Sequence, residues 1–320
     1  MKTIHMHTSA FHSSQWFCPL PAHFSARIAM GVAFLASAVT MPLAQAKLIE
    51  EVIKIPVQVS NSYGKESQQD IVVTLFHEGT APTPYPVAVI NHGRSAKAEQ
   101  RAAFGRATYG THARWLAQLG FLVVVPTRVG YGVTGGEDVE DSGSCHRKNY
   151  PPVYEAAAVQ TQQVLQQVHQ RPDVAKDRSI IIGQSFGGTT AITLAAKNPT
   201  GVQASINFAG GGGGNAETMP QEPCSPWALK DLFADYGKTA RIPTLWIYTE
   251  NDQWMGAKYP REWFDAFKEK GGVGEFVLFP PNGKDGHGLF SNAPDVWRAT
   301  VLAFLRASGY PDLTMPQGKK

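Results

Sequence analysis

Apolar and polar residues alternate along the chain in two patterns, which predict strands and helices in turn. Six short apolar runs are too continuous for strands with one exposed face, so they indicate strands buried on both faces of a sheet. These runs cover residues 87–91, 121–126, 179–183, 204–208, 244–248 and 275–279. Helical spacing recurs between them, over residues 109–119, 153–169, 189–196, 260–268 and 294–306.

The chain before the first of these apolar runs has a different pattern. Residues 51–59 and 70–76 flank a turn-rich segment and predict an antiparallel pair of strands. The later alternation of strands and helices predicts an α/β fold, with a mostly parallel central sheet and helices on both faces. We expect one domain from residue 47 to residue 320.

In such a sheet, ligands bind at the carboxyl ends of the strands. The connections that follow Asn91, Pro126, Gly183 and Tyr248 are therefore where we expect chemistry. Two segments that start at the same sheet edge, residues 127–152 and 209–241, are predicted to be long loops.

The first 46 residues have the pattern of a secretory signal peptide. They contain no Asp or Glu, and only Lys2 and Arg27 carry permanent positive charge. An apolar run over residues 28–39 is followed by Ala44-Gln45-Ala46, a small-residue cleavage site. The run is shorter than the ~20 residues of a membrane span. We expect cleavage near Ala46 and export to the periplasm or beyond, with no stable membrane anchor.

Removal of this segment changes the charge of the chain. The full sequence has 29 Lys and Arg against 26 Asp and Glu, a formal net charge of +3. Loss of Lys2 and Arg27 leaves the mature chain close to neutral. Neither nucleic acid nor an anionic membrane is indicated as a partner, and no oligomeric state is predicted.

Two of the three cysteines remain after cleavage, because Cys18 leaves with the signal peptide. In an oxidising compartment Cys145 and Cys224 are expected to form one disulfide. Each lies on one of the two long loops, so the bond would join them. A catalytic Cys145-His146 pair is disfavoured, since catalytic Cys and His meet across space rather than as sequence neighbours.

The segment Gly183-Gln184-Ser185-Phe186-Gly187 follows a predicted buried strand and precedes a helix. This is the setting of a G-x-S-x-G turn that exposes a nucleophilic serine. A strained serine backbone brings the residues two before and two after it close together, so Gly183 and Gly187 avoid clashes. Ser185 is the predicted nucleophile.

A serine nucleophile needs a base and a group that orients the base. In proteins with this turn the chain order is serine, acid, histidine. Of ten histidines only His287 follows Ser185, which makes it the predicted base. Asp252 is the preferred acid because it can reach across from a strand end. Glu250 and Asp285 are the alternatives.

The oxyanion hole is expected to combine the backbone N–H of Phe186 with one from the loop after the first central strand. Arg94 is the preferred second donor and Gly93 the alternative. His92 is expected to brace this loop, with a role as a second base as the less favoured interpretation.

Aromatic residues at the strand ends are candidates for a substrate pocket; they are Tyr131, Trp254, Tyr259 and Phe290. No cofactor or metal is expected. The glycine run 210–214 lacks the Lys-Ser/Thr of a phosphate loop, and the acidic segment 136–141 lacks spaced calcium ligands.

The segments "NHGRS", "GQSFGG", "YTENDQW" and "DGHGLF" occur in an order that resembles the α/β-hydrolase superfamily, and specifically its dienelactone-hydrolase-like branch. The resemblance covers about residues 52–306. It differs at Ser185, where the dienelactone hydrolases proper have cysteine, so lactone opening is not carried over. A serine at this position looks more like the secreted esterases and peptidases of the superfamily.

Together these patterns predict an exported serine hydrolase that cleaves small-molecule carboxylic esters through a Ser185-His287-Asp252 triad and an acyl-enzyme. A peptidase or amidase with the same triad is the alternative. A noncatalytic binding protein that kept the fold is disfavoured by the complete triad.

Overall fold

In the computed structural model, residues 47–316 are described, and within them one sheet carries eight strands. Each predicted strand is present. The strands are β1 Leu48–Ser60, β2 Glu66–Glu78, β3 Tyr85–Asn91, β4 Leu122–Thr127, β5 Val174–Gln184, β6 Val202–Phe208, β7 Thr244–Thr249 and β8 Gly274–Phe279.

The strands lie in the order β1-β2-β4-β3-β5-β6-β7-β8. β1 pairs antiparallel with β2, and β2 pairs antiparallel with β4. The remaining neighbours are parallel. The predicted antiparallel opening and the predicted mostly parallel sheet are both confirmed.

Helices cover both faces of this sheet. They are α1 Ala98–Ala102, α2 Gly110–Gln118, α3 Tyr150–Val168, α4 Phe186–Lys197, α5 Pro226–Thr239, α6 Lys258–Glu269, α7 Leu289–Asn292 and α8 Pro294–Ala307, with a 3-10 turn at Gly286–Gly288. Along β3, Val87 and Val89 pack with α3 and α4, whereas Ala88 and Ile90 pack with α2 and α8. Burial on both sides explains why the central strands are continuous apolar runs.

The prediction that residues 209–241 form a loop is wrong for their second half. α5 occupies Pro226–Thr239 and buries Leu229, Leu232 and Phe233. These three positions have helical spacing, and Pro226 stands at the start, where the missing N–H of proline costs nothing. α5 packs beside α6 on the side of the sheet that carries Trp246.

The predicted signal peptide lies outside the described residues. Within residues 47–316, no helix has the length and apolar character needed to cross a bilayer.

Candidate active site

Ser185 stands alone between β5 and α4, in a strained backbone conformation. Its φ of 56° and ψ of −124° lie in a region that residues with a side chain rarely adopt. Such strain persists only where the surroundings hold it, and it is concentrated at functional sites. The Ser185 N–H is held by the carbonyl of Phe208, at 2.9 Å.

The two flanking glycines allow the close approach on which this turn depends. A Cβ on Gly183 would collide with the backbone of Gly187, and a Cβ on Gly187 would collide with the carbonyls of Asn91 and His92. The predicted reason for both glycines is therefore correct. The turn packs directly against the end of β3.

Asp252 and His287 meet at the same edge of the sheet. His287 Nδ1 donates to Asp252, with distances of 3.0 Å to Oδ2 and 3.1 Å to Oδ1. The carboxylate is fully buried, and its Oδ1 also accepts the N–H groups of Trp254 and Met255. With Nδ1 committed to Asp252, Nε2 is the ring nitrogen of His287 left to exchange a proton.

The alternative acids make different contacts. Glu250 is exposed, and its N–H donates to the carbonyl of Phe279. Asp285 accepts two backbone N–H groups with one carboxylate oxygen, those of Gln253 and His287. Of the three predicted acids, Asp252 is the one that contacts the His287 imidazole.

The pKa of His287 is raised above its ordinary value. Burial alone would lower it, but the negative charge of Asp252, the hydrogen bond to Asp252 and the charge of Asp285 together outweigh burial. The imidazolium form is therefore stabilised, as a general base requires once it has taken a proton.

Gly93 lies directly against the serine. A Cβ built on Gly93 would stand 3.3 Å from the Cβ of Ser185 and 3.8 Å from its Oγ. The predicted donor Arg94 follows at the next position, and its guanidinium pairs with Asp138 through two hydrogen bonds of 2.7 Å. The Phe186 N–H is the first of α4, and the first N–H groups of a helix have no partner within it. The choice between Arg94 and Gly93 as second donor stays a prediction.

His92 is fully buried, and both of its ring nitrogens contact the backbone. Nδ1 lies 2.7 Å from the Gly93 carbonyl, and Nε2 accepts the N–H of Arg128 at 3.2 Å. Burial, together with the positive charge of Arg128, holds the pKa of His92 well below its usual range. These contacts fit the expected bracing role.

A disulfide joins Cys145 to Cys224, whose Cα atoms are 4.7 Å apart. The predicted pairing is confirmed. The Ser225 hydroxyl donates to the Cys145 carbonyl at 2.8 Å and adds a second link at the same point. The segment after β4 is thus fastened to the segment between β6 and α5.

The sequence model of the dienelactone hydrolase family matches residues 101–301, which is more than half of the chain. The chain belongs to this family. The resemblance indicated by the four sequence motifs is confirmed, and the protein is a hydrolase with the α/β-hydrolase fold. The matched segment contains Ser185, Asp252 and His287.

Solved structures of esterases share this fold. An acetyl xylan esterase from Paenibacillus sp. R4 is 16% identical, with a TM-score of 0.53 over 82% of this chain and 89% of that chain. Acetyl xylan esterase 1 from Thermoanaerobacterium sp. JW/SL YS485 is 15% identical, with a TM-score of 0.52 over 81% and 88%. An esterase from Pyrococcus furiosus is 12% identical, with a TM-score of 0.52 over 80% and 90%.

The four predicted pocket residues have different surroundings in this hydrolase. The ring of Trp254 lies 5.7 Å from that of His287 and is half-buried. Tyr259 is also half-buried, and its hydroxyl donates to Glu222 at 2.7 Å. Tyr131 and Phe290 are each 1% exposed and pack within the interior. Trp254 is thus the one of the four with a ring contact to His287, and the pocket stays a prediction.

An ion pair between Arg128 and Glu140, on the segment after β4, was not predicted from the sequence. Arg128 Nε donates to Glu140 Oε1 at 2.5 Å, and both side chains are fully buried. A second guanidinium nitrogen donates to the His92 carbonyl at 2.9 Å. Arg128 therefore holds the loop that presents Gly93 to Ser185.

Tyr109 was also missed as a neighbour of this loop. It precedes α2 with a φ of 47°, and its ring lies 5.5 Å from that of Phe290. Burial raises the pKa of its phenol to about 12, against the opposing effects of Arg128 and a Gly93 backbone hydrogen bond. A tyrosine with strained backbone leaves no periodic signal in the sequence.

Proposed function

We propose that this protein is an exported serine hydrolase that cleaves small-molecule carboxylic esters. The observation that carries the proposal is the hydrogen bond from His287 Nδ1 to Asp252, at the same sheet edge as the strained Ser185. Membership of a hydrolase family and the shared fold of solved esterases support the ester class. The disulfide supports export, because such bonds persist in oxidising compartments.

In the proposed mechanism, Ser185 Oγ attacks the carbonyl carbon while His287 Nε2 takes the hydroxyl proton. The Phe186 N–H and an N–H of the Gly93-Arg94 segment stabilise the oxyanion. His287 then returns the proton to the leaving alcohol, which leaves an acyl group on Ser185. Water, activated by the same imidazole, attacks this acyl-enzyme and releases the acid.

Steady-state kinetics on p-nitrophenyl esters of increasing acyl length test the proposal, with p-nitroanilides of the same acyl groups in parallel. We expect turnover of the esters and at most slow turnover of the anilides. The Ser185→Ala variant should lose activity by more than about 10³-fold, since the nucleophile is removed. Wild-type ester activity in Ser185→Ala would contradict the mechanism, and preferential anilide cleavage would assign a peptidase or amidase instead.

A further inference from the structure

Both backbone polar groups of His287 are bound by side chains. The His287 N–H donates to Asp285 Oδ1 at 2.9 Å. The His287 carbonyl accepts from Gln184 Nε2 at 3.3 Å. The Asp285 contact is the N-cap of the 3-10 turn that carries His287. The Gln184 contact is not part of this cap and comes from β5, so the two contacts tie the two sides of the His287 backbone to different parts of the chain.

Each of these side chains also binds another part of the site. Asp285 Oδ1 accepts the N–H of Gln253 at 2.9 Å, and Gln253 is the neighbour of Asp252. Asp285 thereby connects the histidine to the segment of its acid. Asn251 adds to this connection, since its side-chain amide donates to the Gly283 carbonyl at 3.1 Å.

Gln184 connects the histidine to the nucleophile. It is the last residue of β5 and the neighbour of Ser185. Its Oε1 accepts the Ser291 hydroxyl at 3.0 Å, so the whole side-chain amide is used to hold the segment that carries His287. β5 is a central strand of the sheet and a rigid support.

From these contacts we infer that Asp285 and Gln184 are positioning residues, which hold His287 between Asp252 and Ser185 during catalysis. The inference rests on the proposed function. His287 lies in a short 3-10 turn, a local structure that by itself fixes little. A misplacement of about 1 Å at a catalytic group can cost on the order of 10²-fold in rate, so fixing the backbone of His287 at both ends has a direct catalytic effect.

The same contacts exclude Asp285 as the orienting acid in this geometry. Its Oδ1 is occupied by two backbone N–H groups, and His287 Nδ1 is committed to Asp252. The charged groups that face the imidazole are Asp252, from the segment after β7, and Asp285, from its own segment. Asp285 therefore acts on His287 in two separable ways, through its acceptor oxygen and through its charge.

Two substitutions separate these effects. Asp285→Asn keeps an acceptor oxygen and removes the charge, so we expect a kcat within about threefold of wild type. The acid limb of kcat/KM should move to lower pH, because one of the two carboxylates that stabilise the imidazolium is gone. Asp285→Ala removes both, and we expect the same shift together with a kcat lower by about 10- to 100-fold.

Gln184→Met keeps the length of the side chain and removes both amide groups. We expect kcat to fall by about 10-fold at the pH plateau, with KM changed by less than about threefold. The acid limb should stay in place because no charge changes. Asp295→Asn and Gln203→Met are matched surface controls, and both should behave as wild type.

Rates are divided by the concentration of active sites, titrated with an aryl phosphonate, so that a variant that folds poorly is not counted as slow.

The kcat of the double variant Asp285→Ala/Gln184→Met should fall by less than the product of the two single losses, because both side chains hold the same residue. Wild-type plateau kcat per titrated site in Asp285→Ala or in Gln184→Met would overturn the inference for that residue. If Ser185→Ala is inactive at the same time, the proposed function stands. If Asp285→Ala fails to fold, Gln184→Met still decides whether the His287 backbone must be held.

Discussion

Two histidines near the serine have environments that shift their pKa values in opposite directions. His92 is buried beside the cationic Arg128, and its pKa is held well below the usual range. The side chain of His287 is 14% exposed. Its partial burial lowers its pKa, but the carboxylates of Asp252 and Asp285 outweigh this effect and raise it. A base must accept a proton during the reaction, so the environment of His287 suits this role and that of His92 opposes it.

The raised pKa of His287 predicts the pH dependence of the enzyme. Below this pKa the imidazole is protonated and cannot take the Ser185 proton, so kcat/KM should rise with pH and level off above it. In Asp252→Asn the charge that stabilises the His287 imidazolium is lost, so the acid limb of the kcat/KM profile should move to lower pH. The plateau kcat should fall by about 10⁴-fold, because the imidazole also loses its orientation.

The pH profile of kcat/KM for wild type and Asp252→Asn checks this prediction. Glu250→Gln is the matched control, since Glu250 is exposed on the same segment. An unchanged limb and plateau in Asp252→Asn, or a larger loss in Glu250→Gln, would show that the acid has been misassigned.

The buried ion pair between Arg128 and Glu140 gives a second prediction, which concerns the stability of the protein and its kcat. Arg128→Met removes the main partner of the buried Glu140, which keeps only the Tyr131 hydroxyl at 2.7 Å and Arg94 at 3.9 Å. The free energy of unfolding should fall by about 3–5 kcal/mol. The His92 carbonyl also loses its donor, so kcat should fall in the protein that remains folded. Urea unfolding and titrated rates measure the two effects.

Lys238→Met is a suitable control for this substitution, because Lys238 and its partner Asp235 are both exposed. Exposed pairs contribute about 0–1 kcal/mol. Equal losses of unfolding free energy in Arg128→Met and Lys238→Met would contradict the bracing role of Arg128.

Ser185, His287 and Asp252 could be found in the sequence because chain order and strand ends restrict the choice. Arg128, Gln184 and Asp285 could not be assigned their contacts in this way. Their partners are distant in sequence or are backbone groups, and a backbone group leaves no mark on residue identity. Gln184 was visible in the motif only as the residue before the serine.

Among the elements, α5 shows how a local signal can be present and still be missed. Leu229, Leu232 and Phe233 have the spacing of a buried helix face, and Pro226 stands at the helix start. The glycine run 210–214 favours a loop at the start of this segment, but it ends well before Pro226. The central strands were predicted more reliably, because burial on both faces makes each one a continuous apolar run.

The disulfide fastens the two segments that flank the site, and its removal should destabilise the protein. It joins residues that are 79 positions apart in the chain, for which the chain-entropy model gives about 4.5 kcal/mol. The free energy of unfolding of Cys145→Ser/Cys224→Ser should be lower by about this amount in urea titrations.

Wild-type protein treated with a reductant provides the matching control, since it should unfold at the same urea concentration as the double variant. A double variant with the midpoint of the oxidised wild type would show that the bond does not constrain the unfolded chain. Ester activity in the folded double variant would report separately on the two tethered segments.

In the molecule as a whole, the parallel sheet brings together site residues that are distant in the sequence. The segments after β3, β5, β7 and β8 all begin at one edge, and they supply Gly93, Ser185, Asp252 and His287. The sequence predicted this common edge from the alternation of strands and helices. It did not predict the strand order, because order depends on which strands pair rather than on where each one lies.

Export is a prediction about the whole chain. Expressed from its full sequence in a bacterium with a periplasm, the protein should be recovered from the periplasm or the medium with Lys47 as its first residue. The intact mass under non-reducing conditions should also be lower by two hydrogens than the mass of the same mature chain with both thiols reduced, because Cys145 and Cys224 are bonded. A cytoplasmic product of full length with three free thiols, Cys18 included, would contradict export.

The most direct measurement of the central claim is covalent labelling by an aryl phosphonate ester, followed by intact-mass analysis and peptide mapping. Ser185 made nucleophilic by His287 should displace the aryl leaving group, so we predict one phosphonyl adduct per chain, mapped to Ser185. Ser185→Ala should remain unlabelled, and His287→Ala should label at least about 10²-fold more slowly. An unlabelled wild-type protein, or an adduct on any residue other than Ser185, would contradict the claim that this serine is the catalytic nucleophile.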